Sequence, residues 1–419
     1  MKPESSALPR RASPLLPVIL ITASGTLTLG GYEMVRSAAA SIFLNHYSAD
    51  RLPEALVLVP PAMFLLTWIF SVVLRRIGPR ATYLSTLVLS GLVLTAATEA
   101  VRGRVPGAPY ALYVFAQAYI VLIVEQVWAF INSRIRPGEG KRWNGPIIAA
   151  STLGSICGGL VTGKLSVGLG SERLVIIAAV LTAASSVLGW LAFHLPGPQP
   201  RPRKNEPARF SDHFAWDLLR NHPTIRRLAW MVMAQQAVSV LLDIAFHRAL
   251  QQAMPLQDPR TAFLGYFWAV VNLFSLVLQL GVCPWLLSRT SLRNVHATVP
   301  LLYGSVALAA VFFPLLSILG AAFFLSKTVD YSVFRAAKEV LYIPLSFQAR
   351  YRAKMTVDAL IYRSTKGVVS AALSIAGRSV GFLPLRLYPL LAVIVCAGWN
   401  RSTRGLPEPS SSGAKTADP

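Results

Sequence analysis

Apolar residues run along this chain in long blocks, interrupted by short polar or proline- and glycine-bearing breaks. A helix needs about 20 consecutive apolar residues to cross the hydrocarbon core of a bilayer. The blocks that meet this length predict twelve transmembrane helices: Leu15–Phe43, Ala55–Leu74, Thr82–Ala100, Tyr110–Ile135, Gly145–Gly163, Leu174–Phe193, Leu228–Ala249, Phe263–Leu287, Val295–Phe313, Leu315–Val340, Met355–Ile375 and Pro384–Trp399. The fold class is therefore an all-α polytopic membrane protein.

One break differs from the rest. Between the sixth and seventh blocks lies "LPGPQPRPRKNEPARFSDHF", too rich in proline and charge to enter a membrane. It divides the chain into a tail (1–14), a six-helix half (15–194), a linker (195–227), a second six-helix half (228–400) and a polar tail (401–419) that is expected to be disordered. Two six-helix halves joined by a cytoplasmic linker are the major facilitator plan, in which the halves rock about a site at the bilayer midplane.

Composition agrees: 54% of the 419 residues are apolar and 14% charged. The net charge of +22 would suggest nucleic acid in a soluble domain, but its distribution gives another reading. With both termini in the cytoplasm, inner segments and adjoining span ends hold 25 of the Lys and Arg, outer ones 8, and the other 7 lie within spans. This is the positive-inside bias, so the acidic partner expected is the anionic headgroup layer of the bilayer and not nucleic acid. Cys157, Cys283 and Cys396 show no paired spacing, so neither a disulfide framework nor a zinc site is indicated. "GEGKRW" lacks the spacing of a phosphate-cradling loop, and no cofactor is expected. "GSICGGLVTG", with Gly154, Gly158 and Gly163, reads as a ridge for close helix packing.

The informative residues are the charges inside the blocks. Arg36, Arg248, Lys327, Arg335, Lys338, Arg363 and Lys366 face Glu33, Glu125, Asp243, Asp330, Glu339 and Asp358, all on spans one, four, seven, ten and eleven. A charged side chain at the bilayer centre costs roughly 2.5–3.5 kcal/mol, so these helices must turn toward protein or water. Lys327, Asp330, Tyr331, Phe334 and Lys338 recur at three- or four-residue intervals and share a face. Glu33 with Arg36, and Arg335 with Glu339, stand at spacings that permit ion pairs. His247 beside Arg248 reads as packing or a local hydrogen bond, because no second histidine stands at ligand spacing.

Two blocks carry a family resemblance. "SKTVDYSVFRAAKEVLYIPLSFQARYRAKMTVDALIYRSTKG", 326–367, closely resembles the hallmark region of the plastid and intracellular-bacterial nucleotide transporters, the ATP/ADP translocase family. "VWAFINSRIRPGEGKRW" is similar to that family's Trp-x-Phe-x-Asn block through Trp128, Phe130 and Asn132. The chain departs from the family pattern in having "VRSAAAS" from Val35 onward, with alanine where the family places a lysine, and "FRAA" where the family has Phe-Asp-Pro.

The resemblance implies a secondary transporter of a small-molecule anion, a nucleotide or other phosphorylated solute, with no enzymatic activity. The substrate-binding residues expected are Arg36, Glu125, Trp128, Asn132, Lys327, Asp330, Tyr331, Arg335, Lys338, Glu339, Asp358, Arg363 and Lys366. Arg335 and Lys327 would neutralise anionic oxygens, and Tyr331, Phe334 and Trp128 would stack on an aromatic base. The alternatives are a proton-coupled exporter using Glu125 and a non-transporting membrane scaffold or sensor that keeps the fold. The expected location is the bacterial inner membrane.

Overall fold

The computed structural model describes residues 15–135, 140–196, 216–343, 345, 347–381 and 383–403. Both tails and most of the linker lie outside these residues, as does part of the basic loop after Ile135. The described residues form helices and short connections, with no strand among them. In a bilayer this follows from the backbone: every N–H and C=O must find a partner within its own segment.

The helices are α1 (Leu15–His46), α2 (Leu52–Arg102), α3 (Ala108–Arg134), α4 (Gly140–Leu169), α5 (Ser171–His194), the short α6 (Trp216–Asn221) and α7 (Pro223–Ala253). After them come α8 (Gln257–Val277), α9 (Cys283–Arg289), α10 (Leu292–Phe312), α11 (Leu316–Val329), α12 (Arg335–Leu341), α13 (Phe347–Lys354), α14 (Tyr362–Val380) and α15 (Leu387–Thr403). Short π-helical turns make continuous rods of α8 with α9 (Leu278–Val282), α11 with α12 (Asp330–Phe334) and α13 with α14 (Met355–Ile361). Eight segments of the described residues are long and apolar enough to cross a membrane, one of them the 54-residue stretch Ala49–Arg102. The rods α11–α12 and α13–α14 are interrupted by the charges noted above, and α15 is 17 residues long.

The helix α2 has 51 residues, which at about 1.5 Å per residue is far longer than a bilayer is thick. It breaks at Gly78, whose φ of 77° no β-branched or bulky residue adopts easily, and Pro79 follows. The basic "RRIGPR" thus sits at a turn, and the apolar stretches on either side run as separate rods. Large apolar side chains cover the outer surface, among them Trp68, Leu89, Val180 and Leu273. That surface, with so many large apolar side chains exposed on it, suits lipid.

Inside, two large hydrophobic cores form, with a small third cluster of Val59, Met63, Val114 and Ala118 between α2 and α3. One is built from α1 to α5 and includes Val35, Tyr83, Leu112, Phe130 and Ala178. The other is built from α7 to α15 and also takes in Phe43, Leu44, Leu52, Leu56 and Tyr113, which all lie near the C-terminal end of α1 and the facing ends of α2 and α3. The two helix sets meet where α4 runs along α8, α2 along α14 and α1 along α8. The glycine ridge on α4 makes this approach possible. A β-carbon on Gly159 would come to 2.7 Å from the Gly265 carbonyl oxygen of α8, and one on Gly265 to 2.7 Å from the Gly163 nitrogen; within the first set, one on Gly158 would overlap the Gly30 backbone of α1.

A polar seam joins the two sets at the end where α1 stops. Arg248 pairs with Asp50 at 3.2 Å and donates to the Leu383 carbonyl. Gln251 accepts from the Ala49 N–H at 2.8 Å and donates to the carbonyls of Leu44 (2.6 Å) and Tyr47 (3.0 Å). Arg378 pairs with Glu54 at 3.1 Å, and Ser171 donates to Asp258 from its backbone N–H and its hydroxyl. At the opposite end no hydrogen bond or ion pair joins the two sets among the described residues. Among the described residues, the polar contacts that close one set against the other gather at the end where α1 stops.

Candidate functional site

A cavity of about 460 Å³ lies between the two helix sets, within the size range of small-molecule sites. Exposure rises along its length: Tyr113, Asp243, His247 and Trp268 at the sealed end are buried, whereas Glu125, Arg335 and Glu339 are exposed. The cavity therefore opens toward the end of α12.

The rod α11–α12 supplies its most charged wall. An α-helical face alone would carry Lys327, Asp330, Tyr331, Phe334 and Lys338, and all five line the cavity. The π turn at Asp330–Phe334 adds a residue to one turn and so spreads the face, bringing Arg335 and Glu339 into the lining too. Arg350 fastens the end of this rod, donating to the carbonyls of Tyr342 (3.1 Å), Ile343 (2.7 Å) and Leu345 (3.1 Å).

Pairing among these groups is selective. Arg36 lies 3.6 Å from Glu33, which also accepts from Asn272 at 3.0 Å; the Arg36 guanidinium stacks 3.2 Å above the Trp268 ring centre and donates to the Tyr331 hydroxyl at 3.4 Å. Lys338 pairs with Asp358 at 2.7 Å, and the Tyr342 hydroxyl donates to the same carboxylate. His247 Nδ1 is 2.8 Å from an Asp243 carboxylate oxygen. Lys327 donates to the Ser239 hydroxyl at 2.6 Å. Among the described residues, four lining cations (Lys327, Arg335, Arg363 and Lys366) have no carboxylate within 4.0 Å; of the lining acids, Glu125 and Asp330 have no basic group at that distance, and Asp243 has only His247, a cation when protonated. The uncompensated groups thus leave an excess of one positive charge with His247 neutral, and of two with it protonated, in a cavity walled by apolar helices. Such a site attracts anions, and the low dielectric of its walls strengthens the attraction.

Eleven of the thirteen residues expected from sequence line this one cavity. Trp128 and Asn132 do not. Both lie on α3, but Trp128 packs against the N-terminal core, and Asn132 is exposed about 10 Å further along the helix than Glu125. The expected pair of Arg335 with Glu339 is also absent: α13 brings Lys354 to 2.5 Å from Glu339, and Arg335 turns into the cavity instead. The pair of Glu33 with Arg36 and the local hydrogen bond of His247 are both present. Sequence reasoning missed Tyr32, Gln117, Gln236, Ser239 and Trp268 as lining residues, since uncharged side chains in apolar runs carry no signal of which way they face.

No protein-family model matches the chain. It is 24% identical over 330 residues to "ADP,ATP carrier protein 1" of Chlamydia pneumoniae, an alignment covering 68% of this chain and 63% of that protein. It is also 24% identical over 191 residues to "ADP,ATP carrier protein 1, chloroplastic" of Arabidopsis thaliana, covering 41% of this chain and 30% of that one. The chain thus spans less than two thirds of the length of the curated relatives it matches. In structure it is similar to the nucleoside transporter NupG, with a TM-score of 0.67 and 12% identity over 93% of this chain and 98% of that one. The resemblance read from the two sequence blocks is borne out: the chain is similar in sequence to ADP,ATP carriers, and its fold is that of a major facilitator-type transporter. It is an integral membrane protein whose relatives are transporters and not enzymes.

Proposed function

We propose that the protein is a secondary transporter of twelve crossings in two six-helix halves, carrying an organic anion through the central cavity by alternating access. The solute class is a nucleotide or another phosphorylated compound, moved in exchange. The observation that carries this reading is the set of unpaired cations, Lys327, Arg335, Arg363 and Lys366, around a cavity open at one end. Arg335 offers a planar two-point donor to phosphate oxygens and Lys327 a point charge, while Tyr331 and Phe334 supply flat faces for a base. Asp330 and Glu125 limit the excess charge when the site is empty. An empty cationic cavity is a poor state to reorient, which favours exchange over net flux.

In the proposed orientation both termini are cytoplasmic in a bacterial inner membrane, so the sealed end faces outward and the structure is the inward-open state. The test is a ligand-dependent thermal shift on detergent-purified protein across nucleotides, inorganic phosphate, organic phosphates and carboxylates. Stabilisation by phosphorylated solutes that is lost in Arg335→Ala, with the unliganded melting temperature unchanged, is the expected result, followed by exchange of that solute in liposomes. Flux driven by a proton gradient and dependent on Glu125 would replace it with the exporter reading. If no anion stabilises the protein and Arg335→Ala melts lower in every condition, the charges are structural and the proposal fails.

A further inference from the structure

One pair of groups in the cavity has no part in simple anion exchange. Ser239, Asp243 and His247 form a stripe at four-residue spacing on α7, all three lining the cavity near its sealed end. Ser239 holds Lys327. His247 Nδ1 lies 2.8 Å from the Asp243 carboxylate and 2.9 Å from the Asp243 carbonyl oxygen. Both neighbours accept only, so Nδ1 carries the hydrogen and Nε2 is left as the free acceptor of the ring. His247 is among the cavity-lining residues.

The charged surroundings of this dyad are those of the anion pole. Lys327 from α11, Lys366 from α14, Arg36 from α1 and Tyr113 from α3 line the same cavity as the dyad. The rings of Phe246 and Phe323 flank His247, and Arg248, the next residue, holds the polar seam through Asp50. Counting Arg36, Lys327 and Lys366 against Glu33 and Asp243, this end of the cavity has a net charge of +1 with neutral histidine and +2 with imidazolium. Histidine is the side chain whose charge ordinarily changes between pH 5 and 8.

We propose that the transporter binds a proton together with its anion, and that the His247–Asp243 dyad is the proton site. Nε2 of His247 takes the proton from the solution filling the cavity, Nδ1–H keeps its bond to Asp243, and the added positive charge helps hold the anion. Because the dyad sits between the cavity floor and the seam, opening of the seam exposes it to the opposite solution, where the proton leaves with the anion. This inference rests on the anion reading and adds the co-transported ion to it.

The sign of the pH dependence follows: anion affinity is highest where His247 is protonated and falls as pH rises. Sulfate is a suitable probe, since it stays a dianion across the range. Its binding to detergent-purified protein would be measured at low-millimolar concentration and constant ionic strength, at about pH 5.5 and about pH 8. The wild type should bind sulfate of the order of tenfold more tightly at the lower pH, the effect of one neighbouring charge at a water-lined site. His247→Gln should bind weakly at both, and His247→Arg tightly at both. In lightly buffered solution near neutrality, adding sulfate to wild type should make the medium more alkaline, a readout that needs no variant to fold. Sulfate binding with no pH dependence, or one that persists in His247→Gln, overturns the dyad while leaving the anion site intact. An absence of sulfate binding at both pH values, in wild type and His247→Arg alike, overturns both.

Discussion

The seam at the closed end makes a quantitative prediction about which way the molecule opens. Asp50 and Arg248 form an ion pair at 3.2 Å, their side chains only 12% and 18% exposed, and Arg248 also donates to the Leu383 carbonyl. At an effective permittivity of about 20, two unit charges at that separation attract by about 5 kcal/mol before desolvation is subtracted. Removing one partner of a fully buried pair costs about 3–5 kcal/mol, and partial exposure lowers this to about 1–3 kcal/mol here. Because the pair bridges the two helix sets, the loss falls on the state in which the seam is shut. Each 1.4 kcal/mol changes a two-state ratio tenfold, so Asp50→Asn should raise the population open at the seam end by about 5- to 100-fold. The assay places a cysteine at Gln117, in the cavity wall, and follows its labelling by an impermeant maleimide added from the seam side. The rate should rise by that factor in Asp50→Asn and in Arg248→Gln, and return toward the wild-type rate when the charges are swapped in Asp50→Arg with Arg248→Asp. If the single variants label no faster while melting normally, the pair does not hold the seam shut.

Two further outcomes follow from packing. Gly158→Leu pushes a side chain into the Gly30 backbone, a contact that cannot relax by rotamer change, so it should cost at least about 1–3 kcal/mol and be seen as a lowered melting temperature or as loss of the monodisperse peak in size-exclusion chromatography. Trp128→Ala should lower the melting temperature by removing a ring packed on the N-terminal core, yet leave the affinity for a stabilising anion within about twofold, because Trp128 lies outside the cavity wall. A large loss of anion affinity in that variant would instead place the ring at the solute.

Much of this protein is set by the sequence alone. Long apolar blocks can bury their backbone in a bilayer only as helices, so the helix class and approximate ends were readable from hydropathy, as was the break between Leu74 and Thr82 in which the turn at Gly78 falls. Charges inside such blocks are too costly to face lipid, so Lys327, Asp330, Arg335, Arg363 and Lys366 had to face inward, and they do. What periodicity does not carry is which of those charges meet. The stacking of Arg36 on Trp268 and the reach of Lys327 to Ser239 join helices distant in the chain, and the pairing of Glu339 with Lys354 in place of Arg335 depends on how α13 folds back on α12 after the π turn of Asp330–Phe334. The same holds for the seam. Asp50, Glu54, Gln251 and Arg378 look in sequence like ordinary polar residues at helix ends, and only the closing of one helix set against the other at that end turns them into the contacts that decide which way the cavity opens.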